Sequence, residues 1–277
     1  MQIRASCLQG CRAAGDSSAL STLSIAIHSL QDGSYPNLAP CTLSRMGILY
    51  VIATPIGNLG DLSERARDCL AGLDLLACED TRRTGRLFAL ANIPRKAQLV
   101  SNHEHNEQQV AARIVAKLDE GLQVGLCSDA GYPLIGDPGY PLVRAALQAG
   151  HEVQVIPGAS AIPLALISSG LPPSSYTFKG FAPRKPGART RFLQMEVDSP
   201  HTLIFYESPY RIGRFLDECL QVFGERRAAV CLELTKQFER VRRGLLSELA
   251  AEFKEGKVKG EAVIVVEGQR KDWDSSL

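Results

Sequence analysis

ATPIGN, Ala53 to Asn58, and SDAGYPLIGDPG, Ser128 to Gly139, are the two stretches whose reading decides the fold of this chain. The first follows the apolar run Ile48 to Ile52, and the second follows Leu122 to Cys127. Short apolar runs closed by turn residues read as buried strands. Each strand here opens into a Gly/Pro-rich turn, where Gly lets main chain approach a ligand and Pro stiffens the loop. In open α/β sheets, small molecules bind outside the carboxyl ends of such strands. The two loops together predict a pocket lined largely by backbone. PGAS, Pro157 to Ser160, repeats the strand-end pattern.

Outward from these loops, strand and helix signals alternate. Strands are expected at 48–53, 75–78, 122–127 and 153–156. Helices are expected at 61–73, capped by Asp61 or Ser63, and at 81–90, 105–120, 141–149 and 161–168. Gly121 and Gly150 fit helix stops. This β-α repetition argues for a mostly parallel sheet covered by helices. SGLPPSS, Ser169 to Ser175, breaks both periods and reads as a linker. Beyond it, strands near 176–180, 203–206, 228–234 and 262–266, with helices near 209–223 and 247–255, predict a second α/β domain. The expected division is 46–170 and 171–277.

The chain has 277 residues, 45% hydrophobic and 22% charged, with a formal net charge of +1. Such a near-neutral chain lacks the global field of a general nucleic-acid binder, so any RNA contact must come from local patches. No apolar stretch approaches the ~20 residues of a membrane helix. Residues 1–45 are rich in Ser, Ala, Leu and Gly and lack sustained periodicity, while Met46 directly precedes the first clear strand. They are expected to be a disordered or non-native leader, with a transit peptide ranked lower. The cysteines are scattered without a C-x-x-C pair, which predicts reduced thiols in a cytoplasmic protein and no metal constellation.

Neither loop matches G-x-G-x-x-G or the phosphate loop G-x-x-x-x-G-K-[ST]. What the chain does carry, in one order, is ATPIGNLGDLSERA, EDTRRTGRLF (79–88), NHEHNE (102–107), SDAGYPLIGDPG, PGASA, FYESPYR (205–211) and KGEAVIVVEG (259–268). Over residues 46–268 this resembles the tetrapyrrole (precorrin/uroporphyrin) methylase superfamily. Within it, the chain is similar to the bacterial branch that methylates the 2′-hydroxyl of a cytidine in small-subunit (16S) ribosomal RNA. The resemblance implies two α/β domains with S-adenosyl-L-methionine in the cleft between them, held mostly by main chain, and a homodimer. Pro55 and Gly57 match the first cofactor loop, and Asp129, Ala130, Gly131, Pro133, Leu134 and Ile135 the second. Pro157, Gly158 and Ser160 are implied close by, with Tyr206, Leu234, Gly260 and Glu261 approaching from the second domain. Gly136, Tyr132 and Leu232 depart from the family pattern, which has Ser, Thr and often Arg there.

A sulfonium methyl is already activated, so such an enzyme mainly aligns its reactants. A ribose hydroxyl gains from a general base, often worth ~10²–10⁴ in rate. Glu79, Asp80, His103, His105, Glu107 and Glu207 are the candidates. Glu79-Asp80 can instead cap the next helix, the histidines can cap or face solvent, and Glu207 can pair with Arg211. Lys236 is either a surface lysine or a group that orients substrate and stabilises oxyanion charge.

KGFAPRKPGARTR, Lys179 to Arg191, holds Lys179, Arg184, Lys185, Arg189 and Arg191 without an acid, flanked by or interleaved with Phe178, Phe181 and Phe192. It reads as a loop that tracks phosphates and stacks bases. Arg82, Arg83 and Arg86 form a second cluster, and Arg240, Arg242 and Arg243 a third. Two other readings stay open: methylation of a corrinoid or porphyrin precursor, against which EDTRRTG, NHEHNE and the basic stretch argue, and a non-catalytic ribosome-assembly protein that binds RNA.

Overall fold

Strands and helices alternate along residues 47–254 and 259–269, which the computed structural model describes. The expected leader, residues 1–45, lies outside them. Five strands form a first sheet: β1 (Ile48–Ile52), β2 (Leu75–Cys78), β3 (Gln98–Ser101), β4 (Gln123–Cys127) and β5 (Glu152–Ile156). Their order is β3-β2-β4-β1-β5, and every pair is parallel. Helices α1 (Glu64–Gly72), α2 (Thr81–Leu90), α3 (Glu107–Asp119) and α4 (Tyr140–Gln148) connect them.

Alternation along the strands feeds two cores. Leu76 and Cys78 of β2 pack with Leu70 of α1 and Phe88 of α2. Leu75 and Ala77 pack on the opposite face with Ile114 of α3 and Leu142 of α4. Burial on both faces is why these strands read as continuous apolar runs rather than alternating ones. Ser63 caps α1, its hydroxyl accepting from Ala66 N at 3.2 Å. Asp61 instead ends a short 3-10 turn, Leu59–Asp61.

The second sheet holds β6 (Tyr176–Phe181), β7 (Thr202–Glu207), β8 (Arg227–Leu232), β9 (Arg240–Leu245) and β10 (Ala262–Val266), in the order β6-β7-β10-β8-β9. Only β6 and β7 pair in parallel; the other pairs are antiparallel. The first face of this sheet receives α5 (Ala161–Ser169), whose Ile162, Ala165 and Leu166 pack on Ala229, Cys231 and Val263. An apolar helix that follows the last strand of the first sheet thus seals the second sheet. Helices α6 (Pro186–Gln194), α7 (Ile212–Phe223) and α8 (Leu246–Phe253) cover the other face, with Leu193, Phe215 and Leu249 against Phe205, Val230 and Ile264.

Three elements differ from expectation. β3 is a four-residue edge strand whose residues stay partly exposed, so it lacks an apolar signature. The basic stretch expected as a loop is the end of β6 followed by α6, which has Pro186 in its first turn and buries Arg189 and Leu193 one turn apart. The third basic cluster is β9, a charged edge strand of the kind that discourages edge-to-edge pairing. Among the described residues, no helix is long and apolar enough to cross a membrane.

Candidate active site

β1 and β4 are neighbours in the first sheet, so the loops that leave their carboxyl ends emerge side by side. They are laced together by main chain: Thr54 N donates to Gly131 O at 2.9 Å, and Gly131 N to Thr54 O at 3.0 Å. The Thr54 hydroxyl adds a bond to Ser128 O at 3.2 Å. Leu134, at φ 74°, holds a left-handed conformation uncommon for a residue with a Cβ. Gly136 is at φ 88°, and a Cβ there would lie 3.4 Å from the Tyr206 ring. The second loop therefore runs close against the second sheet. The first loop does the same at Gly57, where a Cβ would stand 2.3 Å from Lys236 Cγ.

Between the loops and the second sheet lies a cleft of about 360 Å³, within the roughly 300–1,000 Å³ of small-ligand sites. Of the expected cofactor residues, Asp129, Ala130, Gly131, Ile135, Ser160, Tyr206, Leu234, Gly260 and Glu261 line it. Pro55, Gly57, Pro133, Leu134, Pro157 and Gly158 do not line it directly; they belong to the same three loops and set their course. Tyr132, one of the departures from the family pattern, accepts a hydrogen bond at its hydroxyl oxygen from Gly158 N at 3.1 Å. That bond ties the second loop to the third, a span that the shorter side chain of a threonine would not cover.

The cleft is acidic. Burial pushes the Glu79 carboxyl above its ordinary value, with Asp129 adding to the shift. Burial also raises Asp129, against the hydrogen bond from Asp80 N at 3.2 Å and the Arg83 guanidinium at 3.2 Å. Asp137 is pushed furthest, to about 6, by burial first and then by Glu79. Asp137 is not among the expected cofactor or catalytic residues. Its sequence signal is that the second loop, with Gly and Pro residues beside both Asp129 and Asp137, carries more than a turn requires.

The candidate bases separate clearly. Glu79 lines the cleft with Asp137. Asp80 does not: its carboxylate accepts from Arg82 N at 2.8 Å and pairs with the Arg82 side chain at 2.7 Å, so it caps α2. His103 and His105 stand edge to face, 5.9 Å apart, outside the cleft lining. Glu107 accepts from Gly139 N at 3.1 Å and anchors the second loop. Glu207 borders the cleft, but its carboxylate takes Ser208 N at 2.6 Å and Arg211 Nε at 2.7 Å. Alternation along β7 puts Tyr206 toward the cleft and Glu207 toward α7.

Lys236 is a tethered cation at the cleft edge, its Nζ 2.9 Å from Glu233 and 3.1 Å from Glu261. Burial pulls its ammonium down, but the two carboxylates more than offset this, so its pKa is raised. Glu233 and Thr235 on either side of Leu234 have φ of 51° and 66°, backbone strain of the kind that clusters at functional sites.

The basic residues fare unevenly. Arg83 lines the cleft, and Arg82 is exposed but paired. Arg184, Lys185 and Arg191 are exposed. Arg189 is a correction to the expected RNA-binding set. Only 3% of its side chain is exposed; it pairs with Glu218 through two nitrogens and donates to Pro183 O and Arg184 O at 3.0 Å. Its charge is neutralised inside the protein. Lys179 likewise pairs with Glu196 at 2.6 Å, and Arg242 with Glu252 at 2.8 Å.

This fold and site define a class, and the comparisons with known proteins agree. Residues 48–250 match the family model for tetrapyrrole (corrin/porphyrin) methylases, and the chain belongs to that family. It is 46% identical over 245 residues to the ribosomal RNA small subunit methyltransferase I of Vibrio cholerae, covering 87% of this chain and 82% of that one. The protein of the same name from Xylella fastidiosa is 47% identical over 229 residues, covering 82% and 83%. Among solved structures, a uroporphyrin-III C-methyltransferase from Thermus thermophilus shares the fold with a TM-score of 0.55 at 24% identity, over 80% of this chain and 94% of that one. Another from that organism, solved with S-adenosyl homocysteine, has a TM-score of 0.54 at 21% identity, over 80% and 97%.

Proposed function

We propose that this chain is an S-adenosylmethionine-dependent methyltransferase of small-subunit ribosomal RNA, acting on the 2′-hydroxyl of a cytidine. The observation that carries the reading is identity of 46%, over 87% of this chain and 82% of the relative, to an enzyme named for small-subunit ribosomal RNA. The cleft supports it chemically. Glu79, Asp129, Asp137 and Glu261 place negative charge where a cofactor with a sulfonium and an ammonium would lie. Gly131 and Gly136 line the cleft without a Cβ, which lets a ligand come close to their backbone groups.

When bound, the cofactor supplies a methyl group already activated by its sulfonium. The protein's own share is positioning and proton management. Glu79 and Asp137 both line the cleft and are the carboxylates available to take a proton. Their raised pKa values bring them toward the range in which a carboxylate can take a hydroxyl proton near neutral pH. Burial is the main cause for both, and Glu79 adds to the rise at Asp137, so either carboxylate can act as the base. Lys236, held by Glu233 and Glu261, keeps the first loop and the second sheet in register. Arg83, Arg184, Lys185 and Arg191 lie outside the acidic lining or at its border, where they meet phosphates. The reading carries with it a homodimer, a cytoplasmic location and the division into domains 46–170 and 171–277.

The test incubates purified protein and labelled S-adenosylmethionine with small subunits that lack native methylation, then maps ribose methylation by nuclease digestion and mass spectrometry. A 2′-O-methylcytidine that appears only with active protein is the expected result. Label on a base, or no label on the subunit, would overturn the ribose assignment or the substrate respectively.

A further inference from the structure

Phe181 is placed by a fault in the strand that carries it. In the parallel pairing of β6 with β7, Phe178 faces Ile204 and the next matched pair is Phe181 with Tyr206. β6 therefore advances three residues while β7 advances two. The extra residue falls at Lys179-Gly180, where Gly180 takes φ 65°. Side chains three apart in a regular strand point to opposite faces. The bulge instead returns Phe181 to the face that holds Phe178, and both rings pack on Tyr206. Phe178 stands 4.8 Å from it at 67°, and Phe181 5.4 Å from it at 58°. Bulges beside active sites commonly re-aim a side chain in this way.

The three rings do not share one fate. Phe178 and Tyr206 pack against the core under α5. Phe181 borders the cleft and keeps 60% of its surface exposed. A bulge that served packing alone would bury the ring it turns. Here it supports the ring from behind and leaves the rest open toward the cleft. Arg184 and Lys185 follow three and four residues later, both exposed. The carboxylates within the cleft repel phosphate, so an RNA strand meets this rim with its backbone outside and a base or sugar inward.

We propose that Phe181 is the stacking platform for the nucleobase of the nucleotide that is modified. The base, turned out of its neighbours, lies on the open face of Phe181 with Tyr206 behind it, and this brings its ribose to Glu79 and Asp137. Recognition of unstacked bases by aromatic side chains is the usual mode for single-stranded RNA. Stacking tolerates every base, so Phe181 positions the nucleotide and does not select it. The inference rests on the RNA-methyltransferase reading above.

The test compares wild type, Phe181→Ala and Phe181→Trp. For each, affinity for S-adenosylhomocysteine is measured by calorimetry, and kcat and KM are measured with unmethylated small subunits at saturating cofactor. Phe181→Ala is expected to lower kcat/KM by roughly 10- to 100-fold, the effect of one base stack, with cofactor affinity within about twofold of wild type. Phe181→Trp restores most of the loss. Retained cofactor binding shows that the variant is folded. Unchanged kcat/KM in Phe181→Ala overturns the proposal, and so does a loss of cofactor affinity, which would assign the ring to the cofactor. A wild type that binds cofactor yet transfers nothing to the subunits overturns the substrate reading and this inference with it, a result distinct from an active wild type with an indifferent Phe181→Ala.

Discussion

Asp137 has to be partly desolvated for the second loop to close over the cleft, and Glu79 adds like charge; together they lift its pKa from 3.8 to about 6. A carboxyl raised on folding binds its proton more tightly in the native state, so its contribution to stability falls as pH rises from about 4 to 6. Asp137→Asn removes that penalty. Thermal melts should show the variant more stable than wild type at pH 8 by about 1 kcal/mol, after discounting for solvent screening, with the difference shrinking toward pH 4. Methyl transfer should move the opposite way: the wild-type rate climbs through about pH 6, and Asp137→Asn loses that limb. A variant that is neither stabilised at pH 8 nor altered in its pH profile would show that the Asp137 carboxyl is freely solvated.

At the scale of elements, α6 shows how one basic stretch serves two ends. Arg189 faces inward to Glu218, while Arg184, Lys185 and Arg191 face solvent. Arg189→Ala leaves Glu218 with only the more exposed Arg214, 3.1 Å away, and should cost about 2 kcal/mol in denaturant unfolding. Arg184→Glu with Lys185→Glu should leave the melting temperature nearly unchanged. It should weaken subunit binding and flatten its salt dependence by roughly one unit for each phosphate no longer neutralised. The reverse pattern would exchange the two roles. Ser63 tests a different element: its hydroxyl caps α1 through Ala66 N and reaches Pro157 O at 3.4 Å. Ser63→Ala should cost about 1 kcal/mol, read as a shift in the urea midpoint without a change in slope.

For the whole molecule, α5 is the element on which the two sheets depend together. It follows the last strand of the first sheet and buries Ile162, Ala165 and Leu166 on the second. Leu166, 4% exposed, should cost about 3 kcal/mol as Leu166→Ala. The loss should appear in cofactor affinity as well as in stability, because the cleft lies between the elements α5 joins. Calorimetry with S-adenosylhomocysteine checks this. Wild-type affinity in a destabilised Leu166→Ala would show that the cleft does not depend on that packing.

Nine of the fifteen residues that the family resemblance implied for the cofactor line the cleft. The sequence by itself determined the alternation of strands and helices and the two loops at strand ends. Those features are local: apolar runs, caps, and Gly or Pro where the backbone must turn. β3 and β9 were not legible, because Gln98–Ser101 is short and partly exposed and Arg240–Leu245 is charged, so neither carries a clear apolar run. Only the tertiary structure decided which charges are free for chemistry. Asp80, Glu107, Glu207 and Arg189 look like site residues in one dimension, yet Asp80 caps a helix, Glu107 anchors a loop, Glu207 Oε1 pairs with Arg211, and Arg189 is buried against Glu218. Asp137 reads in sequence as an acid of the second loop and Phe181 as one ring of a basic, base-stacking stretch; the path of that loop and a one-residue bulge decide that both border the cleft. Burial and pairing set the charge state and reach of a side chain, and both depend on neighbours that are distant in the chain.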